Sequence, residues 1–296
     1  MGVLNVTPDS FSDGGKFSSL ELALAQARKM VRDGASILDI GGESSRPGAP
    51  RVPLDTELER VIPLIEAIKR SDLEVLISID TRKPEVARAA LRAGADLVND
   101  VTTLRDPAMR AACAEVGVPA IIMHMRGDPE TMRYSSESHP FTDVVREVRD
   151  ELEAAANLAL HDGVPSVVLD PGFGFGKSIP QNLELIRGLP ELKKLGHPVL
   201  LGASRKSTLG RITGIENTSE RDPGSIAAHL FGLSRGVDIL RVHDVAGHRQ
   251  AIQVWQALSD SSRGGSSDSS RGGSNDSSRG GSSDNSHGEL IGESNE

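Results

Sequence analysis

Several polar and charged residues stand out because each closes a short apolar run. Asp39, Asp80, Asn99 and Asp170 follow runs at 36–38, 75–79, 96–98 and 167–169, and Arg241 and His243 follow 237–240. Asn5 follows 2–4, His124 follows 120–123, and Ser204, Arg205 and Lys206 follow 199–203. Asp80, Asn99 and Asp170 could read the edge of a flat heterocycle, accepting from ring N–H and exocyclic amine groups, since buried polar groups need partners. Cations at Arg46, Arg205, Lys206, Arg241 and His243 suit an anionic substrate such as a phosphate ester or carboxylate. Alternatively, the same cations only pair with Asp39, Asp80 and Asp170. Asn5 and Asp9 supply oxygen ligands of the kind Mg2+ accepts when phosphates complete its shell. No His/Cys set has zinc spacing. His124, His229 and His248 read as structural; His243 differs because it lies two residues beyond Arg241 at a run's end.

Eight such runs alternate with helical patterns at 20–32, 55–69, 84–92, 107–115, 144–160, 182–189 and 223–234, and 254–258 closes the last helix. Gly34, Gly94, Gly117, Gly163 and Gly236 follow five of the helices, where left-handed caps belong. Strand, helix, glycine and strand in repetition imply a parallel sheet with right-handed crossovers. The runs lack polar alternation, so both faces of each strand are buried. Eight strands close a (β/α)8 TIM barrel of the α/β class, and their carboxyl ends open on one face where active sites sit. Residues far apart in sequence would meet there, which makes an enzyme the leading reading. The first run is the shortest, with only residues 2–4 to form a strand.

The 296 residues suit a single barrel, for which about 250 are typical. Residues 1–258 form that domain. Residues 259–296 form a Ser/Gly/Asp/Arg octapeptide repeat that cannot bury enough apolar surface to order itself, and it reads as a disordered tail. Its Arg-Gly-Gly steps resemble RNA-binding tails, but Asp balances Arg and no aromatic residue is present to stack on bases. A net charge of −9 argues against nucleic-acid partners. No apolar stretch is long enough to span a bilayer, and no charged-then-apolar leader precedes Met1. The lone Cys113 cannot form an internal disulfide, fits a cytoplasmic setting, and falls in a helix as a small buried residue.

Two glycine patterns mislead. PGFGFGKS at 171–178 lacks the first glycine of a phosphate-binding loop, and Gly172, Gly174 and Gly176 are spaced G-x-G-x-G rather than in the G-x-G-x-x-G dinucleotide fingerprint. These glycines would let the loop pass close to a ligand. GASRK at 202–206 lacks the second glycine of a nucleophile elbow.

At these residues the chain resembles the dihydropteroate synthase family. MGVLNVTPDSFSDGG at 1–15 and DIGGESSRPGA at 39–49 resemble its first two signatures. SIDT at 78–81, NDV at 99–101, MHMR at 123–126, LDPGFGFGK at 169–177, SRKS at 204–207 and LRVHDV at 240–245 extend the likeness in order. The resemblance implies a transferase of folate biosynthesis, joining 4-aminobenzoate to 6-hydroxymethyl-7,8-dihydropterin diphosphate. It implies that Asp80, Asn99, Asp170 and Lys206 hold the pterin with Asp39 nearby, and that Arg241 packs on the ring. Asn5 would bind Mg2+, Arg241 and His243 the leaving pyrophosphate, and Ser45, Arg46, Pro47, Phe175 and Ser207 the aminobenzoate. Asp80, Lys206, Arg241 and His243 would be the catalytic set, and the loops at 7–15 and 42–51 would close over it. A homodimer is implied too. Two departures from the family pattern are the start within the first strand, which would leave the barrel floor less plugged, and Ser45 where Thr is commoner. A pterin-binding methyltransferase, passing a methyl group to a corrinoid, is the alternative that shares barrel and pterin pocket. A barrel without activity that binds partners through its tail is another, but it predicts missing site residues, and none is missing.

Overall fold

The computed structural model describes residues 1–6, 16–44, 49–127 and 141–259. Eight strands run in chain order: β1 (Gly2–Asn5), β2 (Ile37–Gly41), β3 (Leu76–Asp80), β4 (Leu97–Asp100), β5 (Ala120–Met123), β6 (Val167–Asp170), β7 (Leu200–Leu201) and β8 (Ile239–Leu240). β1 to β6 form one parallel sheet in sequential order, and β7 pairs in parallel with β8. Single bridges join the two sheets into a ring. Leu169 meets Val199, and Gly2 meets Val242, where Val3 N donates to Val242 O and Val242 N to Met1 O, both at 2.9 Å. The barrel of the sequence reading is therefore present and closed. β7 and β8 are shorter than their apolar runs, because only two residues on each keep ladder geometry. The shortest run does form a full strand, paired with β2 over four residues.

Outside the ring lie α1 (Lys16–Asp33), α2 (Leu54–Lys69), α3 (Pro84–Ala93), α4 (Pro107–Val116), α5 (Val144–His161), α6 (Ile179–Arg187), α7 (Leu189–Lys193), α8 (Ser207–Thr213), α9 (Asp222–Ser234) and α10 (Val245–Ser259). The pattern at 182–189 resolves into α6 and α7, broken at Gly188. α8 has no counterpart among the expected helices. All five expected cap glycines have positive φ, between 76° and 111°. Cys113 is buried in α4, and burial pushes its thiol up to about 12. None of the described helices is long and apolar enough to cross a membrane. Residues 260–296 of the repeat lie outside the described residues.

Strand side chains alternate, so every second residue points into the barrel. Leu97, Ile121 and Leu200 cluster there with Met1, Ile37, Val168 and Ile239 as an apolar plug. Two residues further along the same strands come Asn99 after Leu97, Asp39 after Ile37, Asp170 after Val168 and Arg241 after Ile239. A polar layer thus rests directly on an apolar one. This stacking puts the strand-end residues of the sequence analysis on one floor.

Candidate active site

Arg241 is the hub of that floor. Its Nε donates to Asp39 Oδ2 at 2.5 Å and its Nη2 to Asp80 Oδ2 at 2.6 Å. Asn99 Nδ2 donates to Asp39 Oδ2 at 3.2 Å. Three strands far apart in sequence are thereby tied to β8. For Arg241 the pairing alternative of the sequence analysis is realised: it does pair with Asp39 and Asp80. Asp170 follows another course, its Oδ1 accepting from Gly172 N at 2.7 Å. A Cβ placed on Gly202 would stand 3.8 Å from Asp170 Oδ2 and 3.9 Å from Arg241 Cβ, so the two side chains flank that glycine.

The floor is desolvated, and this sets its electrostatics. Burial pushes the Asp80 carboxyl up to about 7, while Arg241 pulls the other way and Asp39 adds to the rise. Burial also raises Asp170, moderated by the Gly172 N–H and by Lys206. Burial opposes the charge on Arg241, yet Asp39 and Asp80 outweigh it and hold its pKa above the ordinary value. Charges in such a place interact far more strongly than in water.

Above the floor opens a cavity of about 340 Å³, to which Asn5, Phe175, Lys206, Ser207, Arg241 and His243 contribute walls. Lys206 Nζ stands 3.8 Å over the Phe175 ring centroid. Ser204 Oγ lies 2.9 Å from His243 Nδ1 and accepts from His243 N at 3.1 Å. Arg205 lines the same cavity, but its Nε and Nη2 grip Asp222 at 2.8 and 2.7 Å. It is neutralised in place, whereas the sequence alone grouped it with the substrate-binding cations. Asn5 Oδ1 comes within 3.6 Å of a Cβ placed on Gly41, at the head of β1. A single amide oxygen fits a Mg2+ that takes most of its shell from phosphates and water. Among the described residues, no cluster of three His, Cys, Asp or Glu could hold a metal. Asp9, Ser45, Arg46 and Pro47 lie outside the described residues, as do the whole of the loop at 7–15 and the centre of that at 42–51.

Sequence reasoning missed the supports. Lys177 is buried, and its Nζ donates to Gly172 O at 3.0 Å, Phe175 O at 3.1 Å and His124 O at 3.4 Å. It cross-braces the loop after β6 that carries Phe175. A Cβ on Gly172 would lie 1.9 Å from His124 O, so this glycine approaches backbone rather than the ligand that its spacing suggested. The signal was a lysine ending a glycine-rich turn, whose inward carbonyls require a donor. Glu43 closes the base of the loop after β2 by accepting from Val52 N at 2.9 Å and Lys83 Nζ at 2.6 Å. Lys83 also bonds buried Glu57, which accepts from Thr81 Oγ1 at 2.7 Å.

The pterin-binding enzyme family matches residues 1–243. A dihydropteroate synthase of Synechocystis is 49% identical over 261 residues, covering 87% of this chain and 89% of its own. The crystal structure of dihydropteroate synthase from Thermus thermophilus in complex with 4-aminobenzoate is 51% identical, with a TM-score of 0.78, covering 87% and 93% of the two chains. The enzyme from Xanthomonas albilineans in complex with 7,8-dihydropteroate is 44% identical, with a TM-score of 0.79, covering 88% and 93%.

Proposed function

The chain belongs to the pterin-binding enzyme family, as a transferase with dihydropteroate synthase activity, and on that premise we propose how its barrel rim performs the reaction. It joins 6-hydroxymethyl-7,8-dihydropterin diphosphate to 4-aminobenzoate, giving 7,8-dihydropteroate and pyrophosphate. The observation that carries the assignment of roles is the buried polar layer of Asp39, Asp80, Asn99 and Asp170 around Arg241, opening into a cavity walled by Lys206 and His243. Asp80, Asn99, Asp170 and Lys206 hold the pterin edge, Asp39 anchors Arg241, and the guanidinium packs on the ring. Arg241 and His243 receive the diphosphate. Phe175 and Ser207 frame the aminobenzoate together with Ser45, Arg46 and Pro47.

The bond from the pterin methylene carbon to the diphosphate oxygen breaks first, and its electron pair leaves with pyrophosphate. The resulting cation is delocalised over the ring and stabilised by the carboxylate of Asp80, preorganised in a dry site. The arylamine nitrogen then forms the new C–N bond and loses a proton. No protein nucleophile is required. Mg2+ fits at Asn5, where it would supply neutralising charge to the diphosphate. A cytoplasmic homodimer completes the proposal; Phe231 on α9 and Val254 on α10 leave apolar surface exposed for a second copy. The matched relatives are synthases, which leaves methyl transfer to a corrinoid without support.

Asp80→Asn tests the assignment. It keeps the shape but removes the charge that the cation needs, so kcat should fall about 100-fold to 1000-fold, the size of losing one preorganised electrostatic contact. Pterin affinity, measured by calorimetry, should change far less. Equal losses in both would remove Asp80 from the transition state.

A further inference from the structure

One face of α9 grips the backbone just beyond β7. Ser225 Oγ accepts from Arg205 N at 2.9 Å, and His229 Nε2 accepts from Ala203 N at 3.0 Å. The two residues are four apart and share a helix face. Between their targets lies Ser204, and Arg205 itself has a left-handed φ of 59°, a conformation that persists only where the surroundings impose it.

The direction of the hydrogen bonds behind His229 follows from the Ala203 N–H that meets its Nε2. A backbone N–H only donates, so Nε2 of His229 is the bare nitrogen and its proton sits on Nδ1. That Nδ1 lies 2.8 Å from His248 Nε2, which must accept. The His248 proton is then on Nδ1, 2.6 Å from the carbonyl of Asp244, which cannot donate. With the Ala203 N–H at one end and the Asp244 carbonyl at the other, the geometry assigns both rings as neutral, each with its proton on Nδ1. Both rings are buried, and burial pushes His229 down to about 3, in keeping with a ring that stays unprotonated.

The ends of this relay are informative. Ala203 precedes Ser204 and Lys206, and Asp244 follows Arg241 and His243. The β7–β8 ladder spans only two residues on each strand, so its upper end has little ladder to fix the separation of the two chains. Across that gap stands the Ser204 and His243 pair.

We propose that His229 and His248 are positioning residues, whose single-tautomer relay from Ala203 N to Asp244 O fixes the Ser204–His243 pair at the diphosphate end of the cavity. The inference rests on the pterin-diphosphate reading of that cavity. His229→Phe removes both hydrogen bonds while filling the space. In the full chain it should raise KM for the pterin diphosphate about tenfold, as expected for a lost buried hydrogen bond, and leave KM for 4-aminobenzoate within about twofold. His229→Gln, which returns an acceptor to Ala203 N, should recover most of the loss. An equal rise in both KM values, or none, would overturn the proposal. Ring 15N spectra of the unmodified protein give a second test that needs no variant. They should show protonated Nδ1 and bare Nε2 on both histidines, and a proton on either Nε2 would overturn it. Failure of the unmodified protein to make dihydropteroate would strike the reaction itself rather than this relay.

Discussion

Arg241 holds two carboxylates at once, and the energetics of that arrangement govern what a substitution there does. A buried ion pair gains little over a well-packed apolar pair, but removing one partner strands the other in a dry site. Arg241→Met strands both Asp39 and Asp80. It should cost about 3 to 5 kcal/mol of folding stability, by analogy with other broken buried pairs, and abolish turnover; urea unfolding reads the first and dihydropteroate formation the second. A stability loss near zero would mean that Asp39 and Asp80 are hydrated instead of sealed by the guanidinium. The sequence showed each of these residues at a run's end, yet it could not show the bond between them. Arg241 is 202 residues from Asp39 and 161 from Asp80, and no local pattern encodes a contact at that separation.

At the scale of elements, legibility followed burial. The strands were readable because both faces are covered, which leaves runs dominated by Val, Ile and Leu. Helix ends were readable because glycine caps need positive φ. α8 escaped notice because seven residues carry too little periodicity, and β7 and β8 came out short because closure rests on backbone bridges that side-chain hydrophobicity does not report. His124 shows how an apparently scattered histidine joins elements: its Nε2 lies 3.0 Å from Glu151 on α5, while its carbonyl receives Lys177. Burial, then the Lys177 charge, push its pKa down to about 4, with Glu151 opposing. Its folded pKa is below the ordinary 6.5, so the unfolded chain takes up the proton first. Stability contributed by the neutral ring is therefore lost as pH falls from 6.5 to about 4. The advantage of the unmodified protein over His124→Gln should shrink by about 1.4 kcal/mol per pH unit across that window. A constant difference, read from urea melts at several pH values, would mean that His124 is solvated.

For the whole molecule, one ring of eight strands gathers every described site residue, and nothing in the proposed chemistry calls on residues 260–296. Deleting them should leave kcat and both KM values unchanged within about twofold. A larger change would give the repeat a part in catalysis. The deletion also separates the tail from association. If the apolar surface on α9 and α10 pairs two copies, the shortened chain should sediment as a dimer like the full one, while Phe231→Glu should yield monomers.

The most direct measurement mixes the protein with the pterin diphosphate, 4-aminobenzoate and Mg2+ and follows both products. The account requires dihydropteroate and pyrophosphate to appear one for one, only with both substrates present, and to fall sharply on chelation of the metal or in Asp80→Asn. Pyrophosphate release without dihydropteroate, or full turnover in Asp80→Asn, would contradict the claim that this buried rim steers a pterin cation to an arylamine.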